Sequence, residues 1–366
     1  MKMHLLAITL LTAMGGTTAP VAQAATAIGD NRLAAIETYI SERYPDEGAG
    51  VSVLISVDGE TQLVINRGMA NLEWDMPNGT DVAYRLGSIS KPITAVALLS
   101  MAEQEFIDID APVGDYIADL PPHMARVTIA QLMSHTSGLA DHVFNEDLMP
   151  FIRSGMTVPD VIEMQRDVPP NFAPGAQYEY VNFNYTLLGY LIELVSGMSY
   201  SDYMEQDVFA ANDMPYSAND DRREIVPHRA QNYTVENDIF LHAENVDMSH
   251  VGAAGQLLGS PTDLAHWFDL LMADELISAT DRERAWTVVQ PSDGEPGGYG
   301  LGFNVSERNG RQFIWHTGLT PGAHGAVGVY PDDKMVIVVL GNGFHLPSTG
   351  TAMRWIADEV VGASHD

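Results

Sequence analysis

The stretch RLGSISKPITAVALL, residues 85–99, places Lys91 three residues after Ser88 and just ahead of an apolar helical run. After the first two dozen residues the chain has only two lysines, Lys91 and Lys334, and arginine carries nearly all the other positive charge. Serine is a poor nucleophile at its free pKa and needs a base within hydrogen-bond reach. Residues three apart share a helix face, so Ser88 and Lys91 meet if a helix begins near Ser88. That helix N-terminus would also bring positive backbone dipole to an oxyanion formed there. A lysine stripped of water can lose its proton near neutral pH, which arginine cannot do. The competing reading is a surface lysine in a first helical turn, odd company for ITAVALLSM, which is apolar on most faces. Taken alone the pair is a weak signal.

Two further stretches change the weighing. FAPGAQYEYVNFNYTLLGYLIELVSG holds Tyr180-Val181-Asn182, and FIWHTGLTPGAHGAVGVYP holds His316-Thr317-Gly318, placed to open a strand. Each residue also has a structural reading. Tyr180 can be a core aromatic with a satisfied hydroxyl. Asn182 can be an N-cap for FNYTLLGYLIEL, and a cap can still present its side chain to a cleft. His316 can be a satisfied strand histidine. SHTSGL, residues 134–139, reads as a structural loop. His135 and His142 invite a metal site, but no HExxH pattern accompanies them, so satisfied or exposed histidines are expected. No G-x-S-x-G surrounds any serine, which argues against an α/β-hydrolase.

The elements that would position these residues follow from periodicity. Residues 31–43 have helical spacing, with Leu33, Ile36, Tyr39 and Ile40 on one face. VSVLISVDGETQLVINRG alternates around Asp58-Gly59 and reads as a β-hairpin. GAVGVYPDDKMVIVVLGNG reads as two strands joined by a turn, where Lys334 is an ordinary solvated charge. STGTAMRWIADEVV closes the chain as an amphipathic helix. Between these ends, residues 92–104, 128–134, 157–166, 184–196 and 261–273 have helical spacing, the last with Ser260 as N-cap and Pro261 in its first turn. Strands at both ends and helices between them predict one antiparallel sheet built from both ends, an α/β (α+β) fold flanked by the terminal helices. The expected sheet domain comprises residues 25–91 and 255–366, and a mostly helical domain, 92–254, is inserted, with the active site between them.

Composition bounds the rest. The 366 residues are 46% hydrophobic and 18% charged, enough to bury a large core. The opening MKMHLLAITLLTAMGG followed by VAQAATA has the pattern of a signal peptide cleaved after Ala24, which predicts an exported, periplasmic or secreted protein. There is no cysteine, so disulfides, thiolate metal sites and a lipid-modified cysteine anchor are excluded. No later stretch reaches the length of a transmembrane helix. The net charge of −31, or −32 once Lys2 is removed, repels nucleic acid and anionic membranes. It reads as a solvated acidic surface, so scattered carboxylates carry little weight as catalytic candidates.

With Ser88-x-x-Lys91, Tyr180-x-Asn182 and His316-Thr317-Gly318 in this order, the chain resembles the serine β-lactamase and penicillin-binding-protein superfamily. It is most similar to the branch holding class C β-lactamases, D-Ala-D-Ala carboxypeptidases, D-aminopeptidases and related esterases. YRLGSISK, QLMSHTSGL, AAGQLLGSPTDLAHW and WHTGLTPG agree, and the resemblance covers roughly residues 32–360. It implies Ser88 as the acylated nucleophile and Lys91 as its proton acceptor or relay. Tyr180 resembles the phenolic base that passes the proton to the leaving group. Asn182 would bind the acyl-side amide, and His316, Thr317 and Gly318 would line the strand along which substrate lies. The backbone N–H groups of Ser88 and Leu319 would form the oxyanion hole. No cofactor or metal is implied.

The third motif departs from the β-lactamase form. His316 stands where many β-lactamases have lysine, and an imidazole near its ordinary pKa is only partly charged at neutral pH. Leu319 stands where many carboxylate-recognising relatives carry a hydroxyl. The resemblance therefore implies a serine hydrolase acting on D-residue peptides or small esters, with peptidoglycan fragments and β-lactams among the candidate partners. A class C-like β-lactamase is the enzymatic alternative. A penicillin-sensing or peptidoglycan-binding protein with little turnover is the alternative of another class, disfavoured by the complete Ser-Lys-Tyr-Asn set.

Overall fold

Two runs of β-branched residues, VSVLISV near the start and MVIVVLG near the end, are buried at every position and pair with each other. A computed structural model describes residues 27–141 and 153–363 and shows what surrounds this pair. The main sheet has six strands: β1 (Val51–Val57), β2 (Glu60–Arg67), β3 (Asn304–Arg308), β4 (Arg311–Thr320), β5 (Ala323–Tyr330) and β6 (Met335–Gly341). Their order is β3-β4-β5-β6-β1-β2 and every pairing is antiparallel. The β1–β2 turn works because Asp58 and Gly59 both take positive φ, the hand that matches strand twist. Lys334 ties the neighbouring turn to it through Asp58 at 2.6 Å.

Alternate residues of the central strands serve two cores. Val51, Val53, Ile55, Ile337 and Val339 face the terminal helices, α1 (Asp30–Arg43) and α7 (Thr349–Val361), where they meet Ile36, Ile40, Met353 and Ile356. Leu54, Val336, Val338 and Leu340 face the other way, into a larger core shared with the remaining helices. The principal ones are α2 (Ser90–Glu103), α3 (Ile129–Met133), α4 (Val158–Gln165), α5 (Asn182–Ser196) and α6 (Pro261–Met272). Their starts are written locally. The Ser260 hydroxyl accepts from Asp263 N–H with Pro261 in the first turn, and Thr128 and Thr157 each head a capping box.

The antiparallel sheet with flanking terminal helices is as the periodicity predicts. Three details differ. His316 does not open a strand; β4 begins at Arg311, and His316 lies in its middle. The central region is not only helical, because Tyr233–Glu236 and Ile239–His242 form a hairpin within it. A small sheet joins Tyr84–Arg85, Leu257–Gly259 and Ala218–Asn219. Strands of two or three residues have no readable period, since their partners are distant in sequence. The expected leader, residues 1–24, and His142 lie outside the described residues.

Candidate active site

Ser88 sits in a single 3-10 turn, Gly87–Ile89, that runs directly into α2. Gly87 has φ +52, and a Cβ there would lie 2.8 Å from Leu319 N. A Cβ on Gly318 would overlap the Leu86 carbonyl and stand 3.2 Å from Ser88 N. Two bare glycines thus let the serine turn and β4 approach backbone to backbone, bringing the Ser88 and Leu319 amides to one end of the site. On its outer edge β4 pairs with β3 only as far as Trp315. Among the described residues, His316–Thr320 has no strand partner on that edge.

Lys91 is completely buried one turn on. Its Nζ lies 2.9 Å from Ser88 Oγ, 2.9 Å from Asn182 Oδ1 and 2.8 Å from the Ala254 carbonyl. Burial pulls its pKa down to about 7, opposed by the Asp141 carboxylate. The three partners are not equivalent. Asn182 Oδ1 and Ala254 O can only accept, so a neutral amine spends its two hydrogens on them and turns its lone pair to Ser88 Oγ. The Asn182 amide cannot flip out of this role, because its Nδ2 donates to Asp141 at 2.8 Å.

Asn182 does not cap α5; it is the first residue of that helix. The cap comes from Asp141, which accepts from Asn182 N at 3.0 Å and Phe183 N at 3.3 Å. Asp141 therefore holds the helix end, the Asn182 amide and, through it, Lys91. Sequence reasoning passed over Asp141 because the cap acts across a gap of 41 residues, with no local pattern around it.

The Tyr180 ring lies 4.8 Å from Lys91 Nζ. Its phenol oxygen is buried, and no hydrogen bond of good geometry reaches it among the described residues. Burial raises the phenol pKa well above its ordinary value; the nearby Ser88 hydroxyl opposes this only in part. Tyr180 is thus a neutral phenol. His135 fixes it in place: Nδ1 accepts from Val181 N at 3.2 Å, its carbonyl accepts from Glu179 N at 3.0 Å, and its ring centroid is 4.2 Å from that of Tyr180. Burial, and after it the nearby Lys91, pushes His135 well below its ordinary pKa. It is a structural histidine, as the SHTSGL loop suggested.

His316 is buried and its partners define one tautomer. Nδ1 donates to the Thr317 carbonyl at 2.8 Å, which leaves Nε2 to accept from Tyr299 Oη at 2.9 Å. Burial, reinforced by Lys91, pulls its pKa down to about 3. The sequence-based expectation of a partly charged imidazole is overturned, because a buried ring beside a lysine does not keep the solvent value. Tyr299, in GGYGLGF, is a further site residue that sequence reasoning missed. Thr317 is half-buried and Leu319 is 68% exposed. The site therefore combines a serine, a lysine able to take its proton, two converging amides, a neutral phenol and an open strand edge. That set can form and break an acyl-serine bond.

The family model described as Beta-lactamase matches residues 41–361. Penicillin-binding protein 4* of Bacillus subtilis is 27% identical over 312 residues, covering 80% of this chain and 67% of its own. Putative penicillin-binding protein PbpX of the same organism is 25% identical over 73% of this chain and 65% of its own, so the chain spans about two thirds of the length of these relatives. Among solved structures, the octameric penicillin-binding protein homologue from Pyrococcus abyssi superposes with a TM-score of 0.77 at 25% identity, over 90% of this chain and 78% of that one. A D-stereospecific amidohydrolase from Streptomyces sp. shares the fold at a TM-score of 0.76 and 23% identity, over 91% and 99%.

Proposed function

The chain belongs to the β-lactamase family and is a serine hydrolase, and from that premise we propose that it cleaves D-residue amides and peptides or small esters through an acyl-enzyme on Ser88. The observation that carries this is the Lys91 amine, buried, near pKa 7, and 2.9 Å from Ser88 Oγ. In the proposed reaction Ser88 Oγ bonds to the substrate carbonyl carbon while its proton passes to Lys91 Nζ. The Ser88 and Leu319 amides bind the oxyanion; one such donor is worth about 3 kcal/mol in the transition state. Collapse breaks the bond to the leaving group, which departs with the proton from Lys91, directly or across the Tyr180 hydroxyl. Water then attacks the ester carbonyl carbon and gives a proton to Lys91; the bond to Ser88 Oγ breaks, Oγ receives that proton from Lys91, and the acid leaves. Tyr180 serves as a neutral proton conduit here rather than the phenolate base that the resemblance implied, because its raised pKa opposes ionisation.

Neutral His316 and the aliphatic Leu319 offer no fixed charge to a carboxylate beside the scissile bond, which disfavours β-lactams as preferred substrates. The similarity in fold to a D-stereospecific amidohydrolase supports the D-residue reading. The leader pattern in residues 1–24 supports export. The test is turnover of an activated ester and a D-aminoacyl amide, beside intact-mass spectra with a penicillin. Ser88→Ala should abolish turnover and any adduct. Unchanged turnover in that variant would refute the acyl-serine mechanism, and rapid drug consumption by the wild type would shift the reading to a β-lactamase.

A further inference from the structure

The Ala254 carbonyl is the one partner of Lys91 that comes from neither the serine turn nor α5. It ends a three-residue 3-10 turn, Gly252–Ala254, that is buried throughout. A turn this short has too few bonds of its own to fix where its last carbonyl points. What it leans on sets its position. Gly189, inside α5, leaves it room: a Cβ there would lie 2.8 Å from Ala253 Cβ. Thr186, one turn earlier on α5, donates to the Val251 carbonyl at 3.0 Å. From the other side Thr94, on α2 and three residues after Lys91, reaches the Ala253 carbonyl at 3.3 Å.

Thr94 belongs to a buried relay. Its Oγ1 lies 3.0 Å from the Ser90 carbonyl and 2.8 Å from Tyr200 Oη. The bond to Ser90 is the ordinary one that a helix threonine makes four residues back. The contacts with Tyr200 and Ala253 are not local; they cross 106 and 159 residues. Tyr200 opens the one-turn helix Tyr200–Tyr203, and burial raises its phenol pKa, so it keeps its hydrogen. Among the described residues that hydrogen has one acceptor, Thr94 Oγ1. Tyr200 therefore donates to Thr94, and the single Thr94 hydrogen is shared between the Ser90 and Ala253 carbonyls.

We propose that Thr94 and Tyr200 are positioning residues for Lys91: their relay holds the Gly252–Ala254 turn so that the Ala254 carbonyl takes one hydrogen of the amine and the lone pair faces Ser88 Oγ. This rests on the acyl-serine reading and adds two residues that act only through the turn. The sign of the effect follows from counting hydrogens. Protonated Lys91 has three hydrogens and fills all three partners, whereas the neutral amine has two. Withdrawing the Ala254 carbonyl destabilises the ammonium more than the amine and lets the amine turn away from Ser88. Lys91 should then lose its proton at a lower pH, and the plateau rate should fall.

The experiment compares Thr94→Val, Thr94→Ser and Tyr200→Phe with wild type, each checked for folding by its thermal melt. None of them alters the ionisable groups around the amine, Asp141, His135, Tyr180, Tyr185 and His316. Thr94→Val keeps the shape and removes the hydroxyl. It should lower plateau kcat/KM on an activated ester by about 10–100-fold and move the pH midpoint downward. Tyr200→Phe should do the same to a smaller extent, and Thr94→Ser should restore both quantities. An unmoved midpoint in folded Thr94→Val, or in Tyr200→Phe where the valine variant does not fold, would overturn the proposal. So would a serine variant as impaired as the valine one. Lysine-selective 13C NMR reads the proton on Lys91 without turnover, since Lys2, Lys91 and Lys334 are the only lysines. The Lys91 titration should move downward in the variants in step with the rate. A moved titration in a protein that hydrolyses no ester would sink the hydrolase reading and leave the relay standing. An unmoved titration in an active enzyme would sink the relay alone.

Discussion

At the scale of the residue, a lysine at position 91 in a chain that otherwise relies on arginine has a chemical explanation in the proposed reaction. In the proposed reaction position 91 needs a side chain that is cationic in one step and a base in the next, and burial sets Lys91 near that balance. Arginine would keep its proton, so Lys91→Arg should lower kcat by about 10²–10⁴, close to the effect of alanine, although it preserves charge. Near-normal turnover in that variant would remove Lys91 from proton transfer. The pH profile follows from the same group. With Lys91 near 7, the reactive neutral amine is scarce at pH 5 and dominant at pH 8, so kcat/KM should rise about tenfold per unit below 7 and then level. His316 adds no inflection in this range, because its pKa is near 3. A bell with a limb near 6.5 would contradict its neutral assignment.

At the scale of the element, the helix starts matter more than the helix bodies. The first turn of α5 presents Asn182 to Lys91, and Asp141 holds that turn with three hydrogen bonds. Asp141→Asn keeps the shape and removes the charge that favours protonated Lys91. The expected outcome is a pH–rate midpoint moved downward and a helix cap weakened by about 1 kcal/mol. An unmoved midpoint, read from kcat/KM against pH, would show that Asp141 acts only as a cap.

At the scale of the whole molecule, one half-buried carboxylate opposes the fold. Asp269, on α6, faces β1, where Ser56 Oγ lies 3.5 Å from Oδ2 and Oδ1 has no partner among the described residues. Burial pushes this carboxyl up to about 6. A raised acid pKa means that the folded state holds the proton more tightly than the unfolded chain. The stability this contributes is present below about pH 4 and lost as pH rises through 6. Asp269→Asn should therefore stabilise the protein at pH 7–8 by about 1–2 kcal/mol, after allowance for a partly exposed group. Below pH 4 the gain should vanish. Denaturant midpoints at the two pH values decide it.

The sequence by itself determined the sheet assembled from both chain ends, the main helices with the Ser260 cap, and the one-turn spacing of Ser88 and Lys91, while Tyr180, Asn182 and His316 were singled out by the resemblance of their motifs to a known family. These are local features: period, cap chemistry and one-turn spacing are written within a few residues. Tertiary structure alone decided what those residues are electrostatically. Solvent exclusion, not residue type, brings Lys91 near 7, keeps Tyr180 protonated and strips His316 of the partial charge expected of it. Asp141, Tyr299 and the pairing of Arg85 with Asp220 were equally unreadable, because each acts on a partner remote along the chain and adjacent only after the sheet and helices pack. A pKa is set by the surroundings, and the surroundings of a buried group come from distant sequence.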